Sequence, residues 1–227
     1  HPLIIGGDTA SANTNGSSNM IAIYALNLLL GNINKEGGLI LNPDSPLADL
    51  YSSRTTSSYQ EILSLIGDID SGTTNSLFIN QVDLNYSVSG NINLKSSLSK
   101  LGLIVSMNSF IDDTSQYADI ILPLNTQFES WGNDVPEIGP GYEVVGFQQP
   151  IVKSRFSNKG RQSGAKSAEE IIMELSNIMD FKNKYSGKTM KEILMDDAKN
   201  IMNLNRGSIR ANDLKTFWNG LLSRGGW

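Results

Sequence analysis

The sequence predicts an α/β protein, a mostly parallel sheet with helices on both faces over residues 1–165, followed by a helical extension at 166–227. Three observations carry this expectation. Short apolar runs such as Leu77-Phe78-Ile79, Leu103-Ile104-Val105 and Ile120-Ile121-Leu122 lack the alternation of a one-sided sheet, so both faces of these strands are buried. Helix-like segments separate them, the order of a parallel sheet joined by crossovers. Beyond residue 165 only amphipathic helical patterns remain.

Taken in order, Pro2-Leu3-Ile4-Ile5 is an apolar run stopped by Gly6-Gly7, which predicts a buried strand ending in a sharp turn. A helix follows at 17–31, where Met20, Ile23, Tyr24, Leu26, Asn27 and Leu30 recur mostly at three- and four-residue spacing. Ser17 or Ser18 suits its start, and Gly31 its end. Lys35-Glu36-Gly37-Gly38 turns the chain into the strand-like Leu39-Ile40-Leu41, and 42–58 reads as a polar loop with two prolines. Then come a helix at 59–66, a strand at 76–80, a helix at 94–101, a strand at 103–106, a short helix at 113–117 and a strand at 119–123 that Pro123 stops. Residues 124–165, rich in Gly, Pro and Gln, predict an irregular covering segment. The extension holds helices at 168–179 and 189–202 and a last one ending in Trp218, Leu221 and Leu222.

Composition removes several function classes. The 227 residues contain no Cys and a single His, His1, so these residues assemble no zinc site, no cysteine-held iron–sulfur cluster, no thiol nucleophile and no internal His acid–base pair. With 18 Lys plus Arg against 23 Asp plus Glu, the net charge of −5 argues against nucleic acid as a partner. The longest apolar run, from Ile21 to Leu30, falls short of the roughly 18 residues a membrane helix needs, so no direct membrane insertion is expected.

Three places carry candidate chemistry. Gly6-Gly7 followed by Thr14-Asn15-Gly16-Ser17-Ser18 opens a helix whose free amides suit an anion, without the G-x-G-x-x-G spacing of a dinucleotide fingerprint; the alternative is a plain capped turn. Asp112-Asp113 lies at the carboxyl end of one strand and before Asp119 at the start of the next, where ligands of open α/β sheets bind; such carboxylates accept from a guanine or a ribose, or Asp112 caps the short helix. The stretch from Phe128 to Pro136 gathers Glu129 and Asp134, with Glu137 just beyond, around Trp131, either for acid–base work or as a turn anchored by an aromatic side chain.

These segments together resemble the second half of the large-subunit central region in the molybdopterin-dinucleotide oxidoreductase family. Asn15-Gly16-Ser17-Ser18-Asn19 leading to Leu29-Leu30-Gly31-Asn32-Ile33-Asn34-Lys35-Glu36-Gly37-Gly38 is similar to its glycine turn, Ala/Asn/Leu-rich helix and L-x-G-N-I-x-K-x-G-G ending. The stretch from Ser106 to Pro123, with Thr114 and Ala118-Asp119-Ile120-Ile121-Leu122-Pro123, is similar to its strand, T-E-T-A helix and A-D-V-V-L-P strand. The stretches from Phe128 to Val152 and from Phe217 to Trp227 resemble the branch found in respiratory complexes: polysulfide and thiosulfate reductase-like enzymes, quinone reductase complexes and alternative complex III.

The resemblance implies a Rossmann-like half domain in a fragment of a large redox subunit, with molybdopterin guanine dinucleotide in the parent protein. It implies iron–sulfur clusters only in a region upstream of this one, and as partners the remaining domains plus iron–sulfur and membrane subunits. It also implies a periplasmic or extracytoplasmic location. Gly16, Ser17, Asn108, Asp112 and Thr114 would line the dinucleotide groove, and Glu129 and Trp131 would shape its edge. Two positions depart from the pattern: Asn108 stands where several relatives carry a guanine-binding acid, and Asp83-Leu84 stands for their Asn-Pro turn. A neutral amide lacks a carboxylate's two acceptors for guanine N1–H and N2–H. Hence two other functions stand beside the first: a cofactor-free structural or electron-transfer scaffold, and a small module for an anionic ligand.

Overall fold

The computed structural model describes residues 2–47, 57–88, 90, 92–136, 140–154, 164–182 and 184–227. The chain forms two compact units, one of residues 1–48 with 135–145 and one of residues 49–134 with 146–227.

The first unit holds a short helix α1 (Asp8–Ser11) and the 14-residue α2 (Gly16–Leu29). Pro2 to Gly7 lies beside α2 as extended chain, and the strand expected at Pro2-Leu3-Ile4-Ile5 does not form. Its hydrogen bonds go to side chains instead. The fully buried Asn27 carboxamide accepts from Ile4 N at 3.1 Å and donates to Ile4 O at 2.7 Å, the pattern of a neighbouring strand supplied by one residue. Asn32 Nδ2 donates to Pro2 O in the same way. Leu39-Ile40-Leu41 likewise contributes only a single bridge, Ile33 to Leu39, and Ile40 and Leu41 are exposed. Of the expected polar loop at 42–58, positions 48–56 lie outside the described residues.

The second unit contains the parallel sheet. After α3 (Tyr59–Asp70) come β1 (Ser76–Asn80), two short helices α4 (Leu84–Ser87) and α5 (Leu94–Leu98), β2 (Leu103–Asn108), a 3-10 turn (Thr114–Tyr117) and β3 (Ile120–Pro123). The order is β1-β2-β3, with Phe78 opposite Val105 and Val105 opposite Ile120. Because successive side chains of β2 point to opposite faces, Ile104 joins Ile66, Ile79, Val88, Leu94 and Leu98 on one side. Val105 and Met107 meet Leu124, Ala168 and Ile171 on the other. Helices therefore cover both faces of β2 and the α/β class holds, but the flanking strands are not buried on both faces as the apolar runs suggested: Phe78 of β1 and Ile120 and Ile121 of β3 are exposed. Asp119 fixes the register: its backbone N donates to Ile104 O (2.9 Å) and its carboxylate accepts from Ile104 N (2.7 Å).

The described part of 124–165, expected to be irregular, holds regular elements. After a 3-10 turn (Gln127–Glu129), β4 (Gly132–Asp134) pairs antiparallel with β5 (Gly146–Gln148), while 137–139 and 155–163 lie outside the described residues. The helical extension follows as α6 (Ala168–Ile178), α7 (Met190–Asn203) and α8 (Leu214–Arg224). Trp131 stacks on Trp218 at 5.9 Å, and Phe147 meets the same ring edge-on, so β4, β5 and α8 share one aromatic cluster. Phe147 N donates to Gly225 O, tying β5 to the end of α8. Trp227 donates from its indole nitrogen to Arg206 O at 3.1 Å and lies against Gly207, where an added Cβ would come within 2.2 Å of the ring.

Candidate functional site

In a parallel sheet the loops after the carboxyl ends of the strands face ligands. Here those loops are clamped to each other. Asp83, the cap of α4, accepts from Thr114 Oγ1 at 2.6 Å, from Tyr86 N at 3.1 Å and from Asp113 N at 3.3 Å. The Thr114 hydroxyl, with these backbone amides behind it, holds the Asp83 carboxyl below the usual carboxylate range. Thr114 itself is fully buried and also accepts from Asn85 N at 2.9 Å.

The loop after β2 has its own network. Asp112 Oδ1 accepts from Ser115 N (2.7 Å) and Ser115 Oγ (2.6 Å), and its Oδ2 accepts from Asn108 Nδ2 (2.6 Å). Asn108 Oδ1 faces Phe110 N at 3.4 Å. Asp112 thus binds Ser115 and holds Asn108 as well, while the cap position of the 3-10 turn is Asp113, which makes no side-chain cap bond. Asn108, Asp112 and Thr114 all lie in the second unit, with Asn108 and Asp112 bonded within their own loop and Thr114 bonded across to Asp83 and Asn85 of the loop after β1.

Gly16 and Ser17 belong to the first unit, at the start of α2. Gly16 is buried, and a Cβ there would lie 1.9 Å from Ser11 O, so the close return of the chain requires glycine. Asn15 precedes the helix without a side-chain cap bond, and Ser17 is exposed. Of the three acidic residues considered around Trp131, Glu129 and Asp134 lie among the described residues. Glu129 closes a capping box with Thr126, accepting from Thr126 N at 2.9 Å and Oγ1 at 3.0 Å. Asp134 is exposed, and Glu137 lies outside the described residues. No group of three or more His, Cys, Asp or Glu able to hold a metal ion occurs among the described residues.

The carboxyl end of the sheet also borders a pocket of about 300 Å3 that sequence reasoning did not find. It lies beyond β1 and β3, between Asn80, Gln81 and Asn125, against the first turn of α6 and Gln148 of β5. Among the described residues lining it, Glu169 is the charged one. Its residues come from five separate stretches of chain, which no local motif announces.

The second unit is thus a parallel α/β sheet with its polar loops gathered at the carboxyl ends of the strands. The chain belongs to the molybdopterin oxidoreductase family, whose model matches residues 1–159. It is 26% identical over 163 residues to the menaquinone reductase, molybdopterin-binding-like subunit of Nitratidesulfovibrio vulgaris strain Hildenborough. That match takes in 70% of this chain and 23% of the relative, so the chain spans less than a quarter of the relative's length.

Proposed function

We propose that the chain is part of the large, molybdopterin-oxidoreductase-like subunit of a respiratory redox complex, and that it contributes to the groove for a pterin dinucleotide. The observation that carries this is the family match across residues 1–159, which includes the glycine turn before α2 and the loops after β1 and β2. The name of the relative, a subunit of a menaquinone reductase, supports the respiratory setting and a multi-subunit partner set. On this reading the partners are the other domains of the subunit and iron–sulfur and membrane subunits, and the location is the extracytoplasmic face.

When bound, such a cofactor supplies two-electron chemistry at a metal held by dithiolene sulfurs. The chain's own residues would bind and orient. Gly16 and Ser17 would place the amino end of α2 beside a phosphate, although the Gly16 N–H already donates to Asn13 O at 2.8 Å. Asn108, Asp112 and Thr114 would line the nucleotide side. The last three fit poorly in their present bonding, because Asp112 and Thr114 serve the loop and Asn108 offers an amide in place of a carboxylate.

That internal bonding favours a second reading, a scaffold subunit of a quinone-linked complex that holds no pterin. One experiment separates the two. The full-length subunit, purified with its partner subunits, is denatured and extracted, and the extract is analysed by mass spectrometry. A pterin dinucleotide at near one equivalent supports the groove; a well-folded complex without one sinks it in favour of the scaffold.

A further inference from the structure

The turn between α6 and α7 shows apolar side chains to solvent from a main chain that is held in place. Asp180, just past α6, is left-handed at φ 55°. Phe181 N donates back to Ser176 O at 2.9 Å and Asp180 N to Asn177 O at 3.2 Å, closing the helix end. Phe181 O accepts from Ser176 Oγ at 3.1 Å and from Ser186 Oγ at 3.3 Å. On this fixed frame the Phe181 ring is 62% exposed, and Ile178 and Met179 are exposed beside it. Three large apolar side chains within four residues make a patch, which a scattered surface residue does not.

The charge at this turn runs against that of the chain. The 227 residues carry a net −5, yet from Phe181 to Met190 there are three lysines, Lys182, Lys184 and Lys188, and no acid. The acids on either side are taken up or distant. Those of α6, Glu169, Glu170 and Glu174, lie in its first two turns, and Glu174 pairs with Lys166 at 2.5 Å. Glu192 closes the capping box of α7, Asp196 pairs with Lys188 at 2.6 Å, and Asp197 is buried against Asn133. Asp180 is the one exposed acid next to the patch. Lys184 lies over the Tyr185 ring at 5.1 Å, and Lys182 is exposed directly after Phe181.

Apolar groups beside lysines fit one kind of surface. Where lipid headgroups meet acyl chains, an aromatic or aliphatic side chain enters the apolar layer while an ammonium on its flexible stem reaches the phosphates. The exposed leucines of α2 differ, because no charged residue accompanies them between Thr9 and Asn34. We propose that the turn between α6 and α7 docks on an anionic lipid bilayer, with Ile178, Met179 and Phe181 entering the headgroup boundary and Lys182 and Lys184 facing the lipid phosphates. Such contact lies in the plane of the interface and needs no spanning helix. The family match ends at residue 159, ahead of this turn, and the docking does not rest on the cofactor reading.

The test floats the whole chain with vesicles of phosphatidylcholine alone and of phosphatidylcholine mixed with phosphatidylglycerol. Binding to the mixed vesicles is expected to be at least about tenfold tighter than to phosphatidylcholine, and to weaken as salt shortens the reach of the charges. Phe181→Ser is expected to lose about tenfold or more in affinity for the mixed vesicles, and Lys182→Gln with Lys184→Gln about tenfold, with circular dichroism unchanged in both. Hydrogen exchange on the unaltered chain locates the contact: the mixed vesicles should slow exchange between residues 177 and 190, and this measurement decides alone should a variant unfold. No preference for the mixed vesicles would overturn the proposal and turn the surface over to an acidic protein partner. Full binding by Phe181→Ser, or slowed exchange in α2 with none at the turn, would overturn it as well. Recovery of a pterin dinucleotide from the full-length subunit bears on the groove alone and leaves this result as it stands.

Discussion

Asp197 shows how one residue carries consequences for the whole second unit. It sits on α7, buried, and its carboxylate accepts from Asn133 Nδ2 of β4 at 3.1 Å. Burial, reinforced by the adjacent Asp196 and opposed by Lys184, pushes its pKa up to about 6. A raised acid pKa means the native state holds the proton more tightly than the unfolded chain. The stability this group allows is complete below the unfolded value near 3.8 and is lost as pH rises through about 6. Asp197→Asn keeps an acceptor for Asn133 and removes the charge. It should raise the Tm above pH 6 and flatten the fall in stability between pH 4 and pH 6, measured by thermal melts across pH. An unchanged profile would show that Asp197 is solvated in the native state. In the sequence, Asp196-Asp197 reads as part of a charged helical face; only the approach of β4 makes one of the pair an interior residue.

At the level of elements, the helices of the extension start where side-chain chemistry tells them to. Ser167 with Glu170 and Thr189 with Glu192 form capping boxes at α6 and α7, as Ser58 with Glu61 does at α3. The Ser/Thr-x-x-Glu spacing is a local signal, so these starts are legible in the chain. Ser167→Ala and Thr189→Ala should each cost about 1 kcal/mol, seen as a lower midpoint in urea unfolding with an unchanged slope. A wild-type midpoint would mean the boxes add nothing beyond the packing of the two helices. The hairpin β4–β5 was not legible. Its strands are three residues long, begin with Gly132 and Gly146, and are 11 residues apart in the chain, so neither alternation nor a tight turn marks them. What forms them is the Trp131, Phe147 and Trp218 cluster, a long-range contact.

At the level of the molecule, the first unit exposes what a domain interior normally hides. From Thr9 to Asn34 the sequence has no charged residue, and α2 presents Ile21 (67% exposed), Leu28 (67%) and Leu29 (83%) to solvent. Its Met20, Ile23 and Asn27 side faces the Pro2 to Gly7 segment, through the Asn27 bonds and the close approach of Gly6 to Met20 and Ile23. A helix apolar all round belongs inside a larger body, and none of the helices is long and apolar enough to cross a membrane among the described residues. Leu28→Lys with Leu29→Lys should therefore reduce dye binding to apolar surface and self-association of the isolated chain, while its circular dichroism stays the same. Loss of helix in that variant would show that these leucines already pack inside the unit.

By itself the sequence determined the α/β class, the three strands of the parallel sheet to within two residues at their ends, the helical extension and the family, because continuous apolar runs, helical spacing and short motifs are local properties. It could not tell a four-residue apolar run that joins a sheet from one that an asparagine satisfies, as Asn27 does for Ile4. The tertiary structure alone decided which polar groups are taken and which remain. It ties Asp112 into its own loop and Thr114 across to Asp83 of the loop after β1, and it leaves Asn125 Oδ1 without a donor. Hydrogen-bond satisfaction depends on what arrives from elsewhere in the chain, and that is fixed only when the chain has folded.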